Sequence, residues 1–307
     1  MTSPITIVKH EFTIAQARTS ETEAGERSHD DVEPVQMRVQ QLANLAQIER
    51  EQGRYDAAED LLQRALELAE QAFGPDDLAV AAILNDLGVV QKYQGRYDQA
   101  ERRYARALAI KEQSLGPDHP DLATLYHNLG GLEHARGSYA GGEPFARRSV
   151  ALRQQALGLD HPLLAADQAA LAALLDGQGN YVEAEQLYRQ ALAIYERAYG
   201  PHSHELGVVF NNLAAIAQAR AESAEAERLY RRALAIKEQS LGPAHPDVGV
   251  TLNNLAVLYK SEGENAQAAR LYRRALAIFE AALGPAHPNV VACRENYAQL
   301  VREMDRL

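Results

Sequence analysis

The chain is 307 residues long, 46% of them hydrophobic, with a formal net charge of −11. It is long enough for two ordinary domains or one elongated repeat array, and apolar enough to bury a substantial core. The acidic balance argues against a general nucleic-acid binder and against adhesion to an anionic membrane. Cys293 is the only cysteine, so no disulfide can form within the chain and a reducing compartment is permitted.

The first residues lack a basic region followed by a long apolar one, so no secretory signal is expected. No stretch approaches the roughly 18 apolar residues of a membrane span. A soluble, cytoplasmic protein is the expectation. Residues 5–14, ITIVKHEFTI, have strand-like composition, and residues 15–33 are polar and acidic. Residues 1–33 are expected to form a flexible tail; a groove-occupying or strand-adding segment is the alternative.

From residue 34 onward the chain repeats. Gly74, Gly116, Gly158, Gly200, Gly242 and Gly284 stand 42 residues apart, the last five inside LGPDHP (115–120), LGLDHP (157–162), YGPHSH (199–204) and two copies of LGPAHP. A second series runs Gly53, Gly95, Gly137, Gly179 and Gly263, with Ala221 in the vacant slot. Helix-length segments lie between. In 120–136, Pro120 takes the first helical position, where its missing N–H costs nothing, and His119 or Asp118 precedes it as a cap. Leu122, Leu125, Leu129 and Leu132 recur at helical spacing, and Gly137 supplies a left-handed stop. The segment 98–115 puts Ala100, Tyr104, Ala107 and Leu108 on one face. Each unit thus predicts a helix A, a tight turn, a longer helix B and a Gly-Pro loop.

Segment 84–108 resembles the tetratricopeptide signature, with Leu84, Leu87, Gly88, Gly95, Tyr97, Ala100, Tyr104 and Ala107 in its key slots. The 42-residue length resembles the kinesin-light-chain subclass, which is common in bacteria. The resemblance implies an all-α fold: a right-handed superhelix of six helix-turn-helix repeats over residues 34–307 and a C-terminal capping helix. The repeats fall at about 39–80, 81–122, 123–164, 165–206, 207–248 and 249–290, with the cap at 289–306. Small residues at the eighth slot of helix A, such as Ala46, Gly88 and Gly130, let the two helices of a hairpin approach closely. Each hairpin leaves an apolar face for its neighbour, so stability adds along the array. Two units depart from the pattern. Unit three has Gly142, Ala146 and Ser149 where Ala, an aromatic and Ala are expected, and unit five has Ala221-Glu222-Ser223 for Gly-x-Tyr. Both are expected to be locally weak.

No G-x-S-x-G, phosphate loop, H-E-x-x-H or C-x-x-C occurs, so no enzyme and no cofactor are expected. His119, His161, His204, His245 and His287 recur in the loops. Residues that occur once per repeat sit about 8–10 Å or more apart, too far to share a metal ion, and helix capping is the expected role. Arginine pairs in helix B, such as Arg147-Arg148 and Arg231-Arg232, are expected on the outer surface, with partners such as Glu227 for Arg231.

The informative series is on helix A. Its sixth slot holds Asn44, Asp86, Asn128, Ala170, Asn212, Asn254 and Asn296, and its fifth holds Asn85, His127, Asn211 and Asn253. A carboxamide is a poor choice inside a helix, so its recurrence calls for a reason. One acceptor and two donors suit the backbone of an extended peptide, and the family resemblance implies that such asparagines line a groove and clamp peptides. Bonds between neighbouring helices that hold the superhelix are the alternative. The twelfth slot reads Arg50, Lys92, His134, Asp176, Gln218, Lys260 and Arg302, a basic fringe at both ends that would attract an acidic peptide. The predicted function is a scaffold or adaptor that binds a segment of another protein through Asn44, Asn85, Asn128, Asn211, Asn212, Asn253, Asn254, Arg50, Lys92, Lys260 and Arg302. A regulatory sensor of a small peptide signal is the alternative.

Overall fold

The computed structural model describes residues 29–285 and 287–306. The strand-like stretch 5–14 and the acidic residues as far as 28 lie outside them. Helix α1 begins at His29, inside the segment read as tail. Among the described residues every regular element is helical, and none is long and apolar enough to cross a membrane.

The described chain divides into two compact units, 29–159 and 160–306. The first holds three hairpins: α1 (His29–Glu51) with α2 (Tyr55–Phe73), α3 (Leu78–Tyr93) with α4 (Tyr97–Leu115), and α5 (Ala123–Ala135) with α6 (Tyr139–Leu157). A single 3₁₀ turn, Pro120–Leu122, leads into α5. The second unit holds α7 (Pro162–Gly177) with α8 (Tyr181–Tyr199), α9 (His204–Ala219) with α10 (Ser223–Leu241), α11 (Pro246–Ser261) with α12 (Asn265–Leu283), and the closing helix α13 (Pro288–Met304).

The loops set the helix starts. Asp77 Oδ1 accepts the Ala79 N–H at 2.7 Å. At the same slot in later repeats, the Nδ1 atoms of His119, His161, His245 and His287 accept the N–H two residues on, at 3.1–3.2 Å. In each case the accepting atom is the ring's Nδ1, in the role that the Asp77 carboxylate plays in the first loop. The period places Ser203, and not His204, at this slot in the fourth loop. His204 is the first residue of α9, and its Nε2 lies 3.6 Å from Asp247 Oδ2. The reading of His204 as one of the register histidines is corrected by one residue.

Hairpins close through one tyrosine slot. Tyr104, Tyr188, Tyr230 and Tyr272 are at most 1% exposed. A Cβ on Gly88 would fall 2.5 Å from the Tyr104 ring, so only glycine lets α3 lie this close to α4. Successive hairpins are also stapled by charge from the A/B turn to the preceding helix B. Arg96 pairs with Glu59 at 2.7 Å, Arg136 with Glu101 at 2.8 Å, and Arg220 with Glu185 at 2.6 Å. Such half-exposed pairs contribute at most about 1 kcal/mol each.

Repeat three compensates for its departures in part. Phe145, one residue before Ala146, stacks on Tyr126 with ring centroids 6.4 Å apart. Ser149 is fully buried, but its hydroxyl donates to the Ala123 carbonyl at 2.9 Å. Pro144 is the uncompensated residue. It stands inside α6, where it has no N–H to donate to the Ala140 carbonyl.

Candidate functional site

Each first helix of a hairpin carries its fifth, sixth and twelfth slots on or beside one side. In the first unit, Asn44 is exposed and accepts from Gln40 at 2.9 Å. Asn85 and Asn128 are half-buried. Asn128 Nδ2 donates to Asn85 Oδ1 at 2.7 Å, and Asn85 Nδ2 donates to Asp86 Oδ1 at 3.2 Å. The sixth-slot amide of one repeat therefore meets the fifth-slot amide of the repeat before it.

The same rung recurs in the second unit, where Asn254 Nδ2 donates to Asn211 Oδ1 at 3.4 Å. Here the amides lie deeper: Asn211 is 0% exposed, and Asn212 and Asn254 are each 4% exposed. Asn212 Nδ2 also donates to the Tyr188 hydroxyl at 3.1 Å. These three join neighbouring helices. Asn253 differs. It is half-buried, and its Oδ1 has no hydrogen-bond partner among the described residues.

The twelfth slot is chemically mixed. The Lys92 ammonium lies 5.2 Å from the Tyr93 ring centroid and points toward Gly131 of the next repeat. Burial, and then the Lys92 charge, hold His134 below the usual histidine range, so it adds no positive charge at neutral pH. Burial pushes the half-buried Asp176 carboxyl up to about 6. Gln218 accepts from the Tyr230 hydroxyl at 3.1 Å. Lys260 Nζ pairs with Glu303 Oε2 at 3.3 Å, and Arg302 is exposed. Arg50 is half-buried on α1. The basic residues thus fall into two separate groups, Arg50 with Lys92 and Lys260 with Arg302.

Among the described residues no group of three or more His, Cys, Asp or Glu could hold a metal ion. Cys293 is 1% exposed, and burial pushes its thiol up to about 12, so it carries no thiolate at neutral pH. Lys237 was not singled out in the sequence. It is 1% exposed, burial pulls it down to about 8, and its Nζ lies 3.1 Å from Thr251 Oγ1. The recurrence of Lys111 and Lys237 at one slot of helix B was the available signal. Arg231 does pair with Glu227, at 2.8 Å, and both also bond the Tyr259 hydroxyl.

The family model for the tetratricopeptide repeat matches residues 38–113, 92–140, 121–197, 171–239, 205–281 and 247–307, so almost the whole described chain is covered. The chain belongs to the tetratricopeptide repeat family. No curated protein sequence matches this tetratricopeptide-repeat protein. Among solved structures it is similar to BtubC (BKLC) from P. vanneervenii, with a TM-score of 0.57 and 22% identity over 83% of this chain and 94% of that one. It is similar to a Podosopora anserina kinesin-light-chain-like protein of nearly identical TPR-like repeats, with a TM-score of 0.54 and 23% identity over 67% of this chain and 98% of that one. PilW, a type IV pilus biogenesis factor, aligns with a TM-score of 0.57 and 16% identity over 83% of this chain and 97% of its own. At these identities the likeness establishes the fold and carries no partner across. Tetratricopeptide repeats mark this chain as a protein–protein interaction scaffold.

Proposed function

We propose that this scaffold holds an extended segment of a partner protein along the surface of its first helices. Side-chain amides would meet the segment's backbone, and the basic residues of the twelfth slot would meet acidic side chains. Asn253 carries this reading. A buried acceptor without a donor costs roughly 1–3 kcal/mol, and the cost is recovered when a donor arrives. The torsion at the end of an asparagine side chain is soft, so a small rotation presents this amide to the N–H or C=O groups of a peptide. Asn44, Asn85 and Asn128 offer amides in the first unit at the same slots. Asn211, Asn212 and Asn254 support them from below by fixing one helix against the next.

Charge supports an acidic partner. Arg50 and Lys92 stand in one unit and Lys260 and Arg302 in the other, on a chain that is otherwise acidic. Selection of a random displayed peptide library on the full chain tests both parts. The recovered peptides should be rich in Asp and Glu, and Lys260→Glu with Arg302→Glu should slow their association, the more so at low salt. Recovered peptides with no acidic excess would contradict the charge argument. Failure to retain any peptide would contradict the scaffold reading itself.

A further inference from the structure

Asp176 breaks the basic series of the second unit. It holds the twelfth slot of α7, where α11 and α13 carry Lys260 and Arg302. The carboxylate is half-buried, and among the described residues no side chain gives it a hydrogen bond or a cation. Burial is the whole cause of its raised pKa, with no positive charge near enough to oppose it. Two phenols stand close by. The Asp176 charge raises both Tyr188 of α8 and Tyr230 of α10, after burial does. Their hydroxyls are engaged elsewhere: Tyr188 accepts from Asn212 Nδ2 and Tyr230 donates to Gln218 Oε1, each at 3.1 Å. The fifth and sixth slots of α7 hold Ala169 and Ala170 in place of asparagines, so on this side α7 offers a charge instead of amides. Ala170 and Ala173, both half-buried, lead up to Asp176 and form an apolar track along which the stem of a long cationic side chain can lie.

We propose that Asp176 receives a lysine or arginine of the partner segment, so that the segment carries a basic residue a fixed distance from its acidic ones. The inference rests on the reading of this chain as a scaffold for an extended segment, and it names the chemistry that the segment must carry. A half-buried carboxylate without a partner is costly and tends to take up a proton. An arriving cation restores its charge where salt screens little, and an acidic residue at the same point is repelled. A metal ion would need further ligands, and among the described residues no cluster of His, Cys, Asp or Glu supplies them. The spacing follows from the repeat. Asp176 and Lys260 lie two repeats apart, about 20 Å at helix-packing distances, and an extended chain covers about 3.3 Å per residue. The basic residue therefore stands about six positions from the acidic ones, with its end of the segment at α7 and the acidic end at α11 and α13.

Selection of a random displayed peptide library at pH 7, run in parallel on the full chain and on its Asp176→Asn variant, tests this. Peptides from the parent should carry a Lys or Arg about five to seven positions from Asp or Glu. Those from the variant should keep the acids and lose the fixed basic position. Changing that basic residue to Met in a recovered peptide should weaken binding to the parent about tenfold and leave binding to the variant unchanged. A fixed basic position that survives in the Asp176→Asn selection, or that is missing from the peptides the parent retains, would overturn this inference and leave the scaffold reading standing. Retention of no peptide by the parent would overturn both.

Discussion

The side-chain amide of Asn128 donates to the side-chain oxygen of Asn85 across 2.7 Å, joining the first helices of consecutive repeats. Asn254 and Asn211 form the same rung in the other unit, at 3.4 Å. Because the fifth and sixth slots are adjacent, each rung spans 43 residues, one more than the repeat. A double-mutant cycle on Asn85→Ala and Asn128→Ala should give a coupling of about 0.5–1.5 kcal/mol in urea unfolding. Strict additivity of the two substitutions would show that the rung contributes nothing.

Ala221 has a φ of 60°, where the glycines at its slot in other repeats have 75–80°. A left-handed backbone costs an alanine roughly 1 kcal/mol that glycine avoids. Ala221→Gly should therefore raise stability by about 0.5–1 kcal/mol, although glycine is the more flexible residue when unfolded. A fall in melting temperature would mean that the unfolded-state term dominates.

In repeat three, Pro144 stands where the other repeats have Asp60, Arg102, Gln186, Arg228 and Arg270. Restoring an N–H with Pro144→Arg should stabilise α6 by roughly 1–3 kcal/mol, seen as slower amide exchange in 140–150. Ala146→Tyr restores a ring to the slot that Tyr104 and Tyr188 fill, opposite Gly130. It should add less than Pro144→Arg does, because Phe145 already fills part of that space.

Much of the architecture was legible because each hairpin reuses the same slots. Gly88 was readable as the small residue of a close approach, and Tyr104 presses on it as expected. His161 and His245 were readable as caps because a proline follows each at the first helical position. His204 was misplaced for the same reason. The wording Ser203-His204 breaks the His-Pro pair, and only strict counting by 42 puts Ser203 in the capping slot. The site was less legible. Asn211, Asn253 and Asn254 read alike in the sequence, yet two are buried and one has an orphaned oxygen, because exposure depends on how each helix is rotated against its neighbours. Likewise nothing in the order Gly-Gly-Glu-Pro-Phe showed that Phe145 would reach Tyr126 and replace the missing tyrosine.

Asp176 gives a pH signature. Its carboxyl is raised from 3.8 to about 6 by burial, so the folded state binds this proton more tightly than the unfolded state. The contribution to stability is complete below about pH 4, is lost as pH rises to about 6, and stays lost above that. Asp176→Asn should therefore be the more stable protein at pH 7, by up to about 3 kcal/mol, and should match the parent near pH 4. Equal stability of the two proteins at pH 7 would remove burial as the cause.

The groove reading rests on the orphaned amide of Asn253. Melting temperature and affinity for a selected acidic peptide, both measured on the same Asn253→Ala protein, test it most directly. Alanine is the better helix former and removes an unsatisfied group, so the melting temperature should hold or rise while affinity falls about three- to tenfold. A lower melting temperature with unchanged affinity per folded molecule would contradict the account.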